Sequence, residues 1–169
     1  MTRPVLADAF AHHVWATDLI LAACENLPPE ALATTVPGTY GTILDTLRHL
    51  VGADAGYLAV LSGGRVTRID EAAMDLPALR ATMRVHDPIW QQLLAAGPDP
   101  DEVLVRRRDD GSATEAPVSV RLAQVLHHGT DHRSQVCTAL PVLGVEPPDI
   151  DVWAWAWSQG SLVETPPTN

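Results

Sequence analysis

The chain has 169 residues, 46% of them hydrophobic and 19% charged, with a formal net charge of −10. That length suits a single domain whose core can dispense with disulfides, and the hydrophobic content excludes disorder for most of it. The acidic balance repels phosphate backbones, so no nucleic-acid partner is expected despite the triple Arg106-Arg107-Arg108, and no membrane partner is expected where neither a signal peptide nor a membrane-spanning apolar run is seen; the expectation is a cytoplasmic protein.

The first helical pattern begins near Pro4 and runs to about Asn26. Leu6, Phe10, His13, Thr17, Ile20, Leu21 and Cys24 share one face, while Trp15 and Leu19 point the other way, so more than one side is covered. Pro28-Pro29 ends it. The two cysteines, Cys24 and Cys137, both lie in apolar helical patterns and read as buried thiols rather than a disulfide or a nucleophile. After a connection with a Pro37-Gly38 turn, Thr39 or Thr42 caps a second helix running to about Leu61. Its stripe is Ile43, Leu47, Leu50, Asp54, Tyr57, Leu58 and Leu61, with His49 on the flank. Asp54 is a charge at the centre of that stripe and needs a partner if buried. Gly63-Gly64 closes the helix.

Asp75 caps a third pattern, with Pro77 in its first turn, that continues through Leu79, Met83 and Val85 to Trp90, Leu93 and Leu94. Pro88 either kinks this helix or splits it in two. Residues 101–120 change character. Val103-Leu104-Val105 and Val118-Ser119-Val120 are β-like runs on either side of the turn signal Asp109-Asp110-Gly111, which predicts a small hairpin. A fourth helix covers 122–140, with apolar or small residues at Leu122, Val125, Gly129, Val136, Leu140 and Leu143. Pro141 and Pro147-Pro148 break the pattern. Asp149 or Asp151 then caps a short last helix in which Trp153, Trp155 and Trp157 cannot all face one side, a hint of a dimer surface. Residues 164–169 read as a flexible tail, leaving 1–163 as one domain. The sum is an all-α four-helix bundle with a small β-hairpin before the fourth helix and a short C-terminal helix, an architecture that builds metal sites from facing helices.

The chemistry lies in the histidines. His128 and His132 are four apart, so they stand about 40° apart on one helix face. Two imidazoles side by side on a buried face are costly unless their nitrogens are used, and a metal ion is the simplest use. A catalytic zinc site keeps three protein ligands and one open position. His49 is the best third ligand, because its helix also carries Asp54. That acid would hold an imidazole N–H from outside the ligand set, with Asp131 and Gln135 as lesser candidates. Zinc proteases share the His-x-x-x-His spacing but place a Glu after the first His, where this chain has Gly129, so a protease is disfavoured. The spacing alone is a weak motif: a surface pair is its usual explanation, and His49 taken singly reads as a half-exposed helix residue. His13 reads as a core histidine bonded to a carbonyl; His12, His86 and His127 read as surface residues.

His127-His128-Gly129-Thr130-Asp131-His132-Arg133-Ser134-Gln135 resembles the Asn-His-Gly-Thr-x-His-Arg-Gly-Gln stretch of the DinB/YfiT-like family of small metal-binding four-helix bundles. The segment from Thr42 to His49, followed by Asp54 and Tyr57, is similar to that family's second helix, with its metal-binding His and downstream acid. His13-Val14-Trp15-Ala16 resembles the Asn-x-Trp-Ala pattern of its first helix, and Asp149-Ile150-Asp151 the entry to its last. The chain departs from the pattern at His13, Gln124, His127, Ser134 and Pro141, none of which removes a ligand.

The resemblance implies an antiparallel bundle with crossover connections, a homodimer, and a triad of His49, His128 and His132 holding a divalent transition metal, zinc or nickel foremost. Characterised relatives include S-transferases and isomerases that use a low-molecular-weight thiol such as bacillithiol or mycothiol. By that resemblance the partner is a small molecule: the metal would take the thiol in its open position, deprotonate it, and let it attack an electrophile. Arg133 could hold a carboxylate of that substrate, or else form a structural salt bridge. The alternatives are a hydrolase using the same triad and a non-catalytic metal-binding protein of the stress or damage response.

Overall fold

A computed structural model describes residues 4–108 and 110–165; part of the expected tail, 166–169, lies outside them. The chain is mostly helical with one two-stranded antiparallel hairpin. Helix α1 spans Ala7–Cys24, a short α2 spans Pro29–Leu32, and α3 spans Ile43–Leu61. The α3 start is fixed by Thr42, whose hydroxyl oxygen accepts from the Asp45 N–H at 3.0 Å while the hydroxyl donates to the Asp45 carboxylate at 2.7 Å. A 3-10 turn over Glu71–Ala73 packs on α3. Helix α4, Leu76–Ala95, is capped by Asp75 and runs through Pro88 as one helix. Burial of Met83 and His86 before Pro88, and of Trp90, Leu93 and Leu94 after it, outweighs the roughly 3 kcal/mol that an interior proline removes.

The hairpin joins β1, Val103–Arg107, to β2, Ala113–Pro117, in the register Val103↔Pro117 to Arg107↔Ala113. The second strand therefore precedes the expected Val118-Ser119-Val120 run. The turn decides this: the Arg108 N–H donates to Ser112 O at 2.8 Å and Gly111 takes φ +84, so pairing restarts at Ala113. Pro117 then ends the ladder, and Val118 opens α5, Val118–Ala139. Pro141 converts the end of that helix into a 3-10 turn, Leu140–Leu143. Asp151 accepts from the Ala154 N–H at 2.6 Å to start α6, Val152–Ser158.

Each of the four long helices packs along two others: α1 along α4 and α5, and α3 along α4 and α5. Phe10, Ile20, Leu21, Leu47, Leu58, Leu79, Met83 and Trp90 fill the space between them and are fully buried. Burying each such side chain stabilises the fold by roughly 2 kcal/mol. The hairpin packs on α3 and α5, and α6 on α1, with Trp155 buried. Among the described residues, no helix is long and apolar enough to cross a membrane.

Candidate metal centre

Because α3 lies along α5, His49 faces His128 and His132, one turn apart. His128 Nε2 is 3.2 Å from His49 Nε2 and 3.2 Å from His132 Nε2. The three rings each offer one nitrogen, all within 4.8 Å of one another. Metal–nitrogen bonds of about 2.0–2.1 Å in a tetrahedral site put neighbouring ligand nitrogens about 3.3 Å apart, so this spacing fits a shared ion.

The outer nitrogens show which ring atoms carry protons. The Tyr40 backbone N–H donates to Gln135 Oε1 at 2.9 Å, which identifies that atom as the amide oxygen. His132 Nδ1 lies 3.2 Å from the same oxygen and must be its N–H donor, which leaves a lone pair on Nε2. His49 Nδ1 faces Glu71 Oε2 at 3.6 Å, beyond hydrogen-bond distance. Tyr40 stacks on His49 with ring centroids 4.2 Å apart and 7° between planes, and meets His132 edge-on. Burial pushes His128 down to about 4, helped by the nearby His132 and His49 rings. Burial also lowers His132, against the Gln135 hydrogen bond. Both rings are therefore neutral at pH 7, as a metal ligand must be.

Asp54 does not serve these rings. Five residues turn a helix by about 500°, which sets Asp54 about 140° around α3 from His49. It is 2% exposed, and its carboxylate accepts from His13 Nε2 at 3.0 Å, His86 Nδ1 at 2.6 Å and Trp90 Nε1 at 3.2 Å. His13 is thus bonded to a carboxylate rather than to the expected carbonyl. His86 belongs to the core and not the surface, a place signalled by its spacing with Leu79, Met83 and Trp90. His12 is half-buried and bonds Ile150 O at 2.7 Å, whereas His127 is exposed as expected. Asp131 is exposed.

Arg133, also 2% exposed, points to α1: its NH1 donates to His13 Nδ1 at 2.8 Å, and its NH2 donates to Thr130 Oγ1 at 3.1 Å. An arginine only donates, so the His13 proton sits on Nε2, aimed at Asp54. A neutral imidazole thus bridges a buried carboxylate and a buried guanidinium. Burial pushes the Asp54 carboxyl up, but hydrogen bonds from His13 and His86 hold it at about 2. Burial lowers Arg133 to about 10, still charged at neutral pH. Both cysteines are free. Burial pushes the Cys24 thiol to about 12, and it raises the half-buried Cys137 as well, so both stay protonated.

His49 and His128 also form one wall of a cavity of about 430 Å³, shared with Tyr57, Arg68, Glu71 and Arg106. Fold and site together define a mostly helical protein whose histidine cluster, drawn from two neighbouring helices, could hold a metal ion. The chain belongs to the DinB family, whose sequence profile matches residues 1–167. No curated protein matches it.

Proposed function

We propose that this chain is a metal-dependent enzyme that transfers a low-molecular-weight thiol to an electrophilic small molecule. In this reading His49, His128 and His132 hold a divalent transition metal, zinc or nickel foremost. The observation that carries the reading is that two of three converging imidazoles also wall a cavity of about 430 Å³, within the size range of small-molecule sites. A divalent ion held there would lower the pKa of a thiol that reached it, as it does for water. The chain supplies the rest. Gln135 orients His132, burial keeps His128 and His132 neutral, and Tyr40 covers His49. Cys24 and Cys137 are protonated, so the reacting thiol comes from solution.

The pairwise packing of the long helices supports an antiparallel four-helix bundle, and the free thiols suit the reducing cytoplasm. Trp153 and Trp157, 67% and 58% exposed on α6, suit contact with a second copy in a homodimer. Light scattering on wild type and on Trp153→Ser/Trp157→Ser tests this; a wild type of monomer mass overturns it.

The central test is metal content per chain. Wild type is expected to hold close to one ion, and His132→Ala to lose most of it. Conjugation of a thiol to a model electrophile should then require the metal. Activity that survives a chelator would count against the mechanism. A fully loaded protein with no turnover for any cellular thiol would favour a non-catalytic role, and thiol-independent ester or amide cleavage would favour a hydrolase.

A further inference from the structure

Four arginines gather on the hairpin side of His128, none within ion-pair distance of a carboxylate among the described residues: Arg68, Arg106, Arg108 and Arg121. Two are committed elsewhere. Arg121 NH2 donates to Leu104 O at 2.8 Å and Thr114 O at 3.1 Å, pinning the hairpin to α5. Arg108 donates to the Ser112 and Thr114 hydroxyls at 3.1 and 2.8 Å. Arg106 and Arg68 make no hydrogen bond or ion pair with any described residue, and Arg106 Nε is buried without a partner. Both guanidiniums border the cavity that His49 and His128 wall.

This is unusual for a chain with 21 acidic residues and 11 basic ones. Arg80 shows the ordinary outcome, taking both oxygens of Asp18 and one of Glu25 at 2.7–2.8 Å. Burial disfavours the Arg106 charge, and Arg68 and Arg108 add repulsion. A half-buried guanidinium with an orphaned donor is stabilised by an anion and by little else. One carboxylate does border the cavity, that of Glu71, and it faces His49 Nδ1. Two guanidiniums against that single acid leave one positive charge at the rim. A divalent ion held by the triad would add to that charge, so the rim suits an anion, and the planar fork of an arginine matches a planar carboxylate.

We propose that the cavity between α3 and the hairpin is a carboxylate subsite, with Arg106 as its principal donor and Arg68 as its second. The subsite selects a carboxylate-bearing small molecule and sets its other end beside His49 and His128. This rests on the functional reading above, because it takes the cavity to be where the small molecule sits. The planar fork of an arginine donates to both carboxylate oxygens at once, which fixes orientation as well as charge.

The test is an NMR titration of the full-length, metal-loaded protein with butyrate and its neutral counterpart butyramide. Wild type is expected to bind butyrate about tenfold or more tightly than butyramide, the scale of a hydrogen bond to a charged group. Arg106→Gln should lose most of that preference and Arg68→Gln part of it. Arg107→Gln, on the outer face of the same strand, should retain it. Arg106→Lys keeps the charge without the fork and should retain a fraction, which separates recognition from collapse of the hairpin. Equal binding of the two probes by wild type, or an Arg106→Gln variant with undiminished preference, overturns the subsite. Metal content on the same samples keeps the two readings apart. Protein that takes up no metal yet still prefers butyrate supports the subsite while sinking the metal reading; loaded protein that treats both probes alike sinks the subsite alone.

Conjugation assays then locate the carboxylate. One arm compares 3-mercaptopropionate with its amide against a neutral electrophile. The other compares acrylate with acrylamide against a neutral thiol. The arm in which Arg106→Gln slows the acid more than the amide identifies the partner that carries the carboxylate; no difference in either arm overturns the role given to Arg106.

Discussion

His13 sits between an acid and a base, and its proton has one place to go. Arg133 occupies Nδ1, so Nε2–H points at Asp54. The whole group is desolvated, and its members depend on each other more than a surface pair would. Asp54→Asn keeps the shape but leaves Arg133 without its counter-charge; the expected loss is about 3 kcal/mol in chemical denaturation. A loss below about 1 kcal/mol would mean that water reaches Arg133. At the triad, Gln135 sets the tautomer of His132 through one oxygen. Gln135→Leu removes that constraint and should weaken metal binding by about 10- to 100-fold in a competition titration, with little change in the fold. The pair His128 and His132 was readable because they are four apart on one helix, whereas His49 was named for sharing a helix with Asp54, which turns to other partners. The Asp54 cluster was half readable: the acid stood out in its stripe, but its partners lie 41 and 32 residues away, on helices whose neighbours no local signal names.

At the scale of elements, boundaries followed local chemistry. Thr42, Asp75 and Asp151 each accept a backbone N–H from the first turn of their helix, and these starts were legible for that reason. Pro88 and the second strand were not legible locally. The proline survives within α4 because the flanking residues are buried, and the strand begins where the turn hydrogen bond puts it. Gly129 shows how closely α1 and α5 approach: a Cβ there would lie 2.5 Å from His13 Cε1 and 2.9 Å from Arg133 NH1. Alanine should gain about 1 kcal/mol in helix propensity and lose more by displacing His13. We expect Gly129→Ala to destabilise the protein by about 2 kcal/mol net, read from its denaturation midpoint. A gain in stability would show that the imidazole can move aside.

Across the whole molecule, these groups shape the response to acid. His128 is held at about 4 in the folded chain against an ordinary 6.5. Between those values the unfolded chain binds a proton that the folded chain does not, so stability falls as pH drops from about 6.5 to 4. Asp54 is held at about 2 against 3.8, so its stabilisation, about 2 kcal/mol, is present above pH 4 and lost on going towards pH 2. Metal-free protein should therefore melt at lower temperature below about pH 6.5, with a second decline below about pH 4. His128→Gln should shrink the first decline, leaving the part due to His132 and His12, and spare the second. Loaded protein should fall more steeply in the first window, because protons compete with the ion for the same nitrogens. What the chain determined by itself was its set of long helices, the hairpin turn, and the imidazoles that share a face, since caps, periodicity and turn residues act within a few positions. Only the tertiary structure decided which acid meets which imidazole, that Arg133 turns to α1, and that Arg106 and Arg68 border a cavity beside His49, because each depends on which helices and strands become neighbours.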